Sequence, residues 1–185
     1  MGTAVTTLRT EHEALLHATG VLGRICQQAA RKALDEHAAH AGELLAFLIE
    51  FGDGCHYAKK EQLLIPALVR HGVARDSAPL AIQRSGCIQA RELLDAMRHT
   101  QAGWAAGDGH SGRRFSTAAT AYHALLERLI DAERGVLFEI VDAVLDHRAQ
   151  SRLARAFAQF DRDVLGVERR QALIGGMEVL RRHYL

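Results

Sequence analysis

The sequence predicts an all-α protein, an antiparallel up-down-up-down four-helix bundle with an additional C-terminal helical segment. The composition suits long helices, because 48% of the 185 residues are apolar and only two prolines occur. Four stretches repeat apolar residues with the period of an amphipathic helix, and polar links separate them. We expect a single domain over residues 1–185, with the bundle at about 4–147 and the C-terminal extension at about 150–185.

The first two helices follow from caps and periodicity. Thr6 and Thr7 are suitable caps for the first helix. Asp35 opens a second helix that continues to about Val69 and ends near Gly72, where glycine can take the left-handed cap. The predicted inward face of the first helix comprises Val5, Leu8, His12, Leu15, Thr19, Leu22 and Cys26. The inward face of the second comprises Leu48, Gly52, His56, Lys60, Leu63 and Ala67.

The second half of the chain repeats this pattern. Ser77 and Pro79 start a third helix that runs to about Trp104, and its inward face comprises Leu80, Ile82, Cys87, Ala90, Leu94 and Met97. The glycines of residues 105–114 predict a loop, followed from about Ser116 by a fourth helix. The inward face of this helix comprises Tyr122, Leu126, Leu129, Glu133, Val136, Ile140 and Val144. Leu153, Phe157, Phe160 and Leu165, before a break at Gly166, predict a helix or helix pair outside the bundle.

Charge and cysteine content exclude several classes of protein. The net charge of +1 gives no reason to expect nucleic acid or an anionic membrane surface as a partner. No apolar run approaches the length of a membrane span. Three cysteines without a spacing motif make a disulfide framework improbable and favour a reducing compartment, so we expect a cytoplasmic protein.

Ionisable residues on the inward faces provide the functional signal. His12, His56 with Lys60, and Glu133 come from three different helices, and the fourth offers Cys87. In a bundle these positions can meet at one level, where two imidazoles and a carboxylate would form the ligand set of a two-His-one-carboxylate iron site. Each residue also has a purely structural interpretation, as a hydrogen-bonded core histidine, an ion pair or a small core thiol.

Four motifs resemble those of the hemerythrin-like, or HHE cation-binding, family. RTEHEALL contains His12, and CHYAKKEQLLIPAL is similar to the second-helix signature CHHxKEExxLFPxL. PLAIQRSGCIQAR and LLERLIDAERGVLFE are similar to the signatures of the third and fourth helices. The resemblance extends through the C-terminal region to nearly the whole chain.

The resemblance implies a four-helix bundle that holds a non-haem di-iron centre for oxygen, nitric oxide or redox chemistry. It implies that His12, His56 and Glu133 are metal ligands. The family's other bridging carboxylate is replaced by Lys60, its fourth-helix histidine by Leu129 and its third-helix histidine by Cys87. One iron has therefore lost its histidines, and two irons with their usual ligands cannot be held.

Two hypotheses for the function stay open. The first is a metal-binding protein that holds iron, with one ion favoured over two. Its role would be sensing, storage or small-molecule redox chemistry, and a small diatomic molecule such as O2 or NO is a possible ligand. The second is a metal-free bundle in which a Lys60–Glu133 ion pair replaces the centre and the protein acts as a scaffold, as an interaction protein or as a homo-oligomer.

Alternative ligands are also considered. Cys87 or solvent could complete the site, and a one-residue slip in the second helix would turn Tyr57 and Glu61 inward and Lys60 outward. His123 and Glu127 are expected to form a surface pair. The remaining histidines considered are expected to be solvated: His37, His40, His71, His99, His110, His147 and His183.

Overall fold

The structure, a computed structural model, describes residues 3–32 and 34–185, and within them it is all-helical, as predicted. Residues 1, 2 and 33, which the predicted domain includes, lie outside the described residues. The first helix is α1 (Thr3–Arg31), and the second is continuous through α2 (Asp35–Phe47), π1 (Leu48–Tyr57), π2 (Lys60–Leu64) and α3 (Ile65–Arg70). The others are α4 (Ala78–Ala105), α5 (Gly109–Ala132) with π3 (Glu133–Leu137) and α6 (Phe138–Val144), α7 (His147–Val164) and α8 (Val167–Tyr184).

The first four helices form a closed bundle. α1 packs against α2, α2 against α4, α4 against α5, and α5 against α1. α7 and α8 lie outside this ring against α1, and α8 also contacts α2. No helix in the described part of the chain is long and apolar enough to cross a membrane.

The buried apolar side chains form two clusters with a polar layer between them. One cluster contains Leu15, Tyr57 and Leu129, and the other contains Leu64 and Leu137. Along each bundle helix that contributes to the layer, the buried ionisable residues occur where the chain passes from one cluster to the other. The fold therefore places a water-poor polar layer inside the bundle.

Three π-helical segments lie at this layer. In a π turn each amide bonds to the carbonyl five residues back, so the turn holds more residues than an α turn and shifts the buried face. The predicted inward face beyond Glu133 is consequently wrong by one position. Val136 is 48% exposed, whereas the residue after it, Leu137, is buried, as are Val141 and Leu145.

The connection between α4 and α5 is shorter than predicted. α5 begins at Gly109 rather than near Ser116, because Asp108 caps it and accepts hydrogen bonds from the backbone N–H groups of His110 (2.9 Å) and Ser111 (3.1 Å). Of the glycines that indicated a loop, Gly107 lies in the turn with a φ of 87°, whereas Gly112 lies within α5 and has a packing role. A Cβ on Gly112 would lie 3.0 Å from Trp104 Cδ1.

Other boundary predictions need correction. Thr6 and Thr7 lie within α1 rather than at its cap. Ile82 is 46% exposed, and its neighbour Gln83 is buried instead. The break before α8 occurs at Gly166, as predicted, with a φ of 74° that favours glycine.

Candidate metal centre

Six ionisable side chains fill the polar layer, and each is at most 2% exposed. They come from α1, from the second bundle helix at and between π1 and π2, and from π3. The six are Glu11, His12, His56, Lys59, Lys60 and Glu133. Because buried charges are costly without partners, the contacts of these groups decide what the site can do.

His12, His56 and Glu133 are brought together as the sequence predicts. Each offers one ligand atom, and these atoms all lie within 4.8 Å of one another. His12 Nε2 lies 2.9 Å from Glu133 Oε2, and the rings of His12 and His56 meet edge-on with centroids 5.1 Å apart. Among the described residues, this is the group of His, Cys, Asp and Glu side chains with a geometry that could hold a metal ion.

Lys60 shares Glu133 with His12. Its ammonium donates to Glu133 Oε1 and, at 3.2 Å, to Gln83 Oε1, and it lies 4.9 Å from the centroid of the Tyr57 ring. Burial alone would raise the pKa of Glu133, but the Lys60 charge and the hydrogen bond from His12 hold it well below its usual value. Glu133 is therefore ionised, and the predicted Lys60–Glu133 contact is present.

His56 is held by a carboxylate behind it. Its Nδ1 lies 2.9 Å from Glu11 Oε2, and because an ionised carboxylate only accepts, Nδ1 carries the hydrogen. The Nε2 atom of the neutral ring then carries the lone pair that a metal requires. Burial, followed by the charge of Lys60, holds the pKa of His56 well below 6.5, which favours this neutral form.

The sequence interpretation missed Glu11, Lys59 and Asp161. Lys59 donates to Glu11 Oε1, and its Nζ lies 2.8 Å from Asp161 Oδ1. Lys59 lies between π1 and π2, and these wide turns widen the face that the helix buries. A signal was present in the adjacent Glu11-His12 and Lys59-Lys60 pairs, each of which contains a predicted inward residue.

Two other predicted candidates, Glu61 and Tyr57, have partners outside the cluster of three ligands. Glu61 forms a two-pronged ion pair with Arg91, at 2.7 and 3.1 Å, on the partly exposed side of the helix. The slipped register, with Glu61 inside and Lys60 outside, therefore does not occur. Tyr57 is buried, and its hydroxyl lies 3.3 Å from that of Tyr122. Burial, then the neighbouring Tyr122, raises the pKa of Tyr57 well above 10, so the phenol is neutral.

The side of the site that has lost its histidines is filled by other groups. Leu129 is buried against α4, where a Cβ on Gly86 would lie 2.3 Å from Leu129 Cδ2. Cys87 is buried beside it, and burial raises the pKa of its thiol to about 11. Hydrocarbon, a protonated thiol and an ammonium group do not bind a cation, so this side does not fit a second ion.

The remaining histidines mostly lie outside the core. His123 lies at the partly exposed surface. Its Nδ1 forms a hydrogen bond of 2.8 Å with the Thr19 hydroxyl, and its Nε2 lies 3.5 Å from Glu127 Oε1. His40 is half-buried and lies 2.7 Å from the Tyr184 hydroxyl. The prediction for His37 is wrong, because it is 3% exposed, packed beside Tyr184 at the end of the bundle.

In chemical type the donor set suits one metal ion, and one pair of its atoms already has a suitable spacing. For metal–ligand bonds of ~2.1 Å, two ligand atoms at right angles are ~3.0 Å apart, close to the 2.9 Å between His12 Nε2 and Glu133 Oε2. The hydrogen on His12 Nε2 would leave when an ion binds, and its buried Nδ1, which has no hydrogen-bond partner among the described residues, could carry it instead. Lys60 remains on the other oxygen of Glu133.

Acid is expected to destabilise the metal-free protein from about pH 6.5 downward. The folded protein keeps His56 neutral while the unfolded chain takes up a proton near pH 6.5, so the unfolded state binds more protons below that pH. The contribution of His56 to the free energy of unfolding is then fully present above pH 6.5, and it falls by up to ~1.4 kcal/mol per pH unit below that pH.

Urea unfolding after chelator treatment at pH 7.5, 6.5 and 5.5 measures how the free energy of unfolding changes with pH. His56→Gln should reduce the slope, and equal slopes would contradict the assignment.

A family model described as Hemerythrin HHE cation binding domain matches residues 3–141. The match covers the four bundle helices and ends within α6, before α7 and α8. Neither the curated proteins nor the solved structures give a significant match.

Proposed function

Since the chain belongs to the hemerythrin HHE cation-binding domain family, we propose that it binds a single non-haem iron ion through His12, His56 and Glu133. The observation that carries the proposal is the approach of these three buried ligand atoms to within 4.8 Å of one another. Two imidazoles and one carboxylate form a recognised ligand set for non-haem iron and leave coordination positions open.

Lys60 takes the place of the second ion in this proposal. A bridging carboxylate serves two cations, one on each oxygen, and Glu133 already has an ammonium on Oε1 and the His12 ring at Oε2. Glu133 can therefore bind one ion without losing Lys60. On the side without histidines, the buried side chains of Leu129 and Cys87 keep water away from the site.

The proposed role is sensing, storage or redox handling of a small molecule. An iron ion in this site would supply open positions at which a diatomic ligand such as O2 or NO binds. The protein residues orient the ligand set: Glu11 fixes the His56 ring, and Lys60 fixes Glu133 and supplies positive charge beside the ion. The dry surroundings strengthen these electrostatic interactions.

The metal-free bundle is the second candidate. In its favour, Lys60 already neutralises Glu133, and Lys59 lies between Glu11 and Asp161, so these buried carboxylates have counter-charges without an ion. Such a protein would act as a scaffold or interaction partner, including with its own copies. The two candidates differ in metal content, which is directly measurable.

Metal content of the purified protein tests the proposal. After iron-supplemented growth and purification without chelators, we expect about one equivalent of iron by plasma emission spectrometry. His56→Ala should lose it, whereas the matched control His99→Ala, at an exposed position on α4, should keep it. Less than about a tenth of an equivalent of any transition metal would favour the metal-free bundle. About two equivalents would contradict the single-ion site.

The proposal also includes a cellular compartment and a domain organisation. Cys26, Cys55 and Cys87 are buried and free, which suits a reducing compartment such as the cytoplasm. We also propose that residues 1–185 form one domain, because α7 and α8 pack on α1 and contribute to both apolar clusters.

A further inference from the structure

One buried acidic residue reaches the polar layer from outside the bundle. Asp161 lies on α7, which begins after the family match ends at residue 141. Its Oδ1 and Oδ2 lie 2.8 and 3.0 Å from Lys59 Nζ, and its side chain is 12% exposed. The C-terminal helices therefore contribute directly to the contacts around the site.

Lys59 connects Asp161 to a metal-ligand candidate. Its ammonium donates to Glu11 Oε1, and Glu11 Oε2 accepts the hydrogen bond from His56 Nδ1 at 2.9 Å. The path Asp161–Lys59–Glu11–His56 is thus continuous and made of charge-assisted bonds. Groups behind a metal-ligating histidine set its tautomer, its ring orientation and its strength as a ligand.

α7 holds Lys59 by two side chains. Phe157 lies one turn before Asp161, and the Lys59 ammonium is 5.7 Å from the centroid of its ring. Phe157 is fully buried against the bundle, which fixes the position of α7 at this level. At the rim, Arg170 Nε lies 3.8 Å from Asp161 Oδ2 and is 35% exposed, so solvent screens its charge.

We propose that Asp161 is a positioning residue for the metal centre: it holds Lys59, and through Lys59 and Glu11 it fixes the ring of His56. This inference rests on the proposed function, since it assigns Asp161 a role at the same site. It extends the site beyond the residues that match the family, to a helix that the match does not include.

Charge gives Asp161 a second effect on the same site. With both imidazoles neutral, as ligands must be, the buried set contains three carboxylates and two ammonium groups: Glu11, Glu133 and Asp161 against Lys59 and Lys60. The set is therefore net negative by one charge, because Glu11 and Asp161 share the single ammonium of Lys59. Removing the charge of Asp161 would leave a neutral cluster with less attraction for a cation.

Cobalt(II) titration tests the proposal, because cobalt is air-stable and takes the same nitrogen and oxygen ligands as iron. We expect Asp161→Asn to weaken cobalt binding by ~10–100-fold. The control Asp163→Asn removes the same charge from an exposed position on the same helix and should leave binding within ~2-fold of the wild type. Asp161→Glu, which keeps the charge, should restore part of the loss. Equal affinities for the two Asn variants would overturn the inference and leave the proposed function intact.

A second measurement is independent of metal. In the apo protein, ¹⁵N chemical shifts of the His56 ring report which nitrogen carries the hydrogen, and we expect Nδ1 in the wild type. Asp161→Asn should shift the Nδ1 resonance, whereas Asp163→Asn should not. If Asp161→Asn does not fold, Asp161→Ser is measured in its place.

If the wild type binds no cobalt or iron, the proposed function fails. In that case an unchanged His56 resonance in both Asp161 variants would also overturn the positioning role.

Discussion

Replacing Lys60 with glutamate is expected to make the folded protein depend on a bound cation. The change removes the ammonium from Glu133 and places a second carboxylate against it in a buried layer. Breaking a buried ion pair and leaving an unpaired charge costs ~3–5 kcal/mol, so the metal-free variant should lose about that much stability. A metal ion would neutralise the two carboxylates, and metal affinity should rise above that of the wild type.

Urea unfolding with and without iron(II) or cobalt(II) under anaerobic conditions measures both effects. Lys60→Met is the matched control, because it removes the charge and keeps the length of the side chain without adding a carboxylate. It should be destabilised without metal and should gain less from metal than Lys60→Glu does. If Lys60→Glu has unchanged stability and unchanged metal content, Lys60 does not contact Glu133 in solution.

Replacing Lys59 with methionine is expected to have a similarly large effect by a different route. Lys59 is fully buried between Glu11 and Asp161, and its removal leaves two buried carboxylates without their shared cation. We expect a loss of ~3–5 kcal/mol in the free energy of unfolding, measured by urea denaturation at neutral pH.

Two comparisons make the Lys59 result interpretable. Lys32→Met removes the same charge from an exposed position after α1 and should change stability by less than ~0.5 kcal/mol. Adding Asp161→Asn to Lys59→Met should recover part of the loss, because it removes one of the two stranded charges. A loss below ~1 kcal/mol in Lys59→Met would mean that water or another cation compensates.

Helical periodicity predicted the fold and the centre of the site from residues alone. His12, His56, Lys60 and Glu133 lie at α-helical spacing from apolar neighbours, so their inward direction could be predicted before any coordinates. Periodicity failed just beyond Glu133, where π3 begins. Val136 was predicted inward in place of Leu137, since a 3.6-residue period does not include the extra residue.

Long-range partners could not be predicted in the same way. Asp161 is one of two acidic residues on the amphipathic helix α7, and its sequence neighbours do not distinguish it from the exposed Asp163. Only the packing of α7 on the bundle shows that one is buried and the other is not. The family comparison does not supply this information either: the C-terminal region resembles the family's closing helix, but the family model matches only residues 3–141 and ends before α7.

Glycines show a second limit of local patterns. The cluster in residues 105–114 predicted a loop because glycine is unfavourable in helices. In the structure, Gly103 and Gly112 let α4 and α5 approach closely, and Gly112 would place a Cβ 3.0 Å from Trp104 Cδ1. A helix-packing glycine and a loop glycine look alike in the sequence, and only the opposing helix distinguishes them.

The wide turns at the polar layer have a consequence for changes in chain length. Deleting a residue from the middle of an ordinary helix rotates everything beyond it by about 100° and misdirects the core. A deletion within Glu133–Leu137 would instead convert the wide turn to a regular one and leave Leu129 and Val141 facing inward. Relatives one residue shorter at this point can therefore share the same bundle, and gaps of that size here do not imply a different fold.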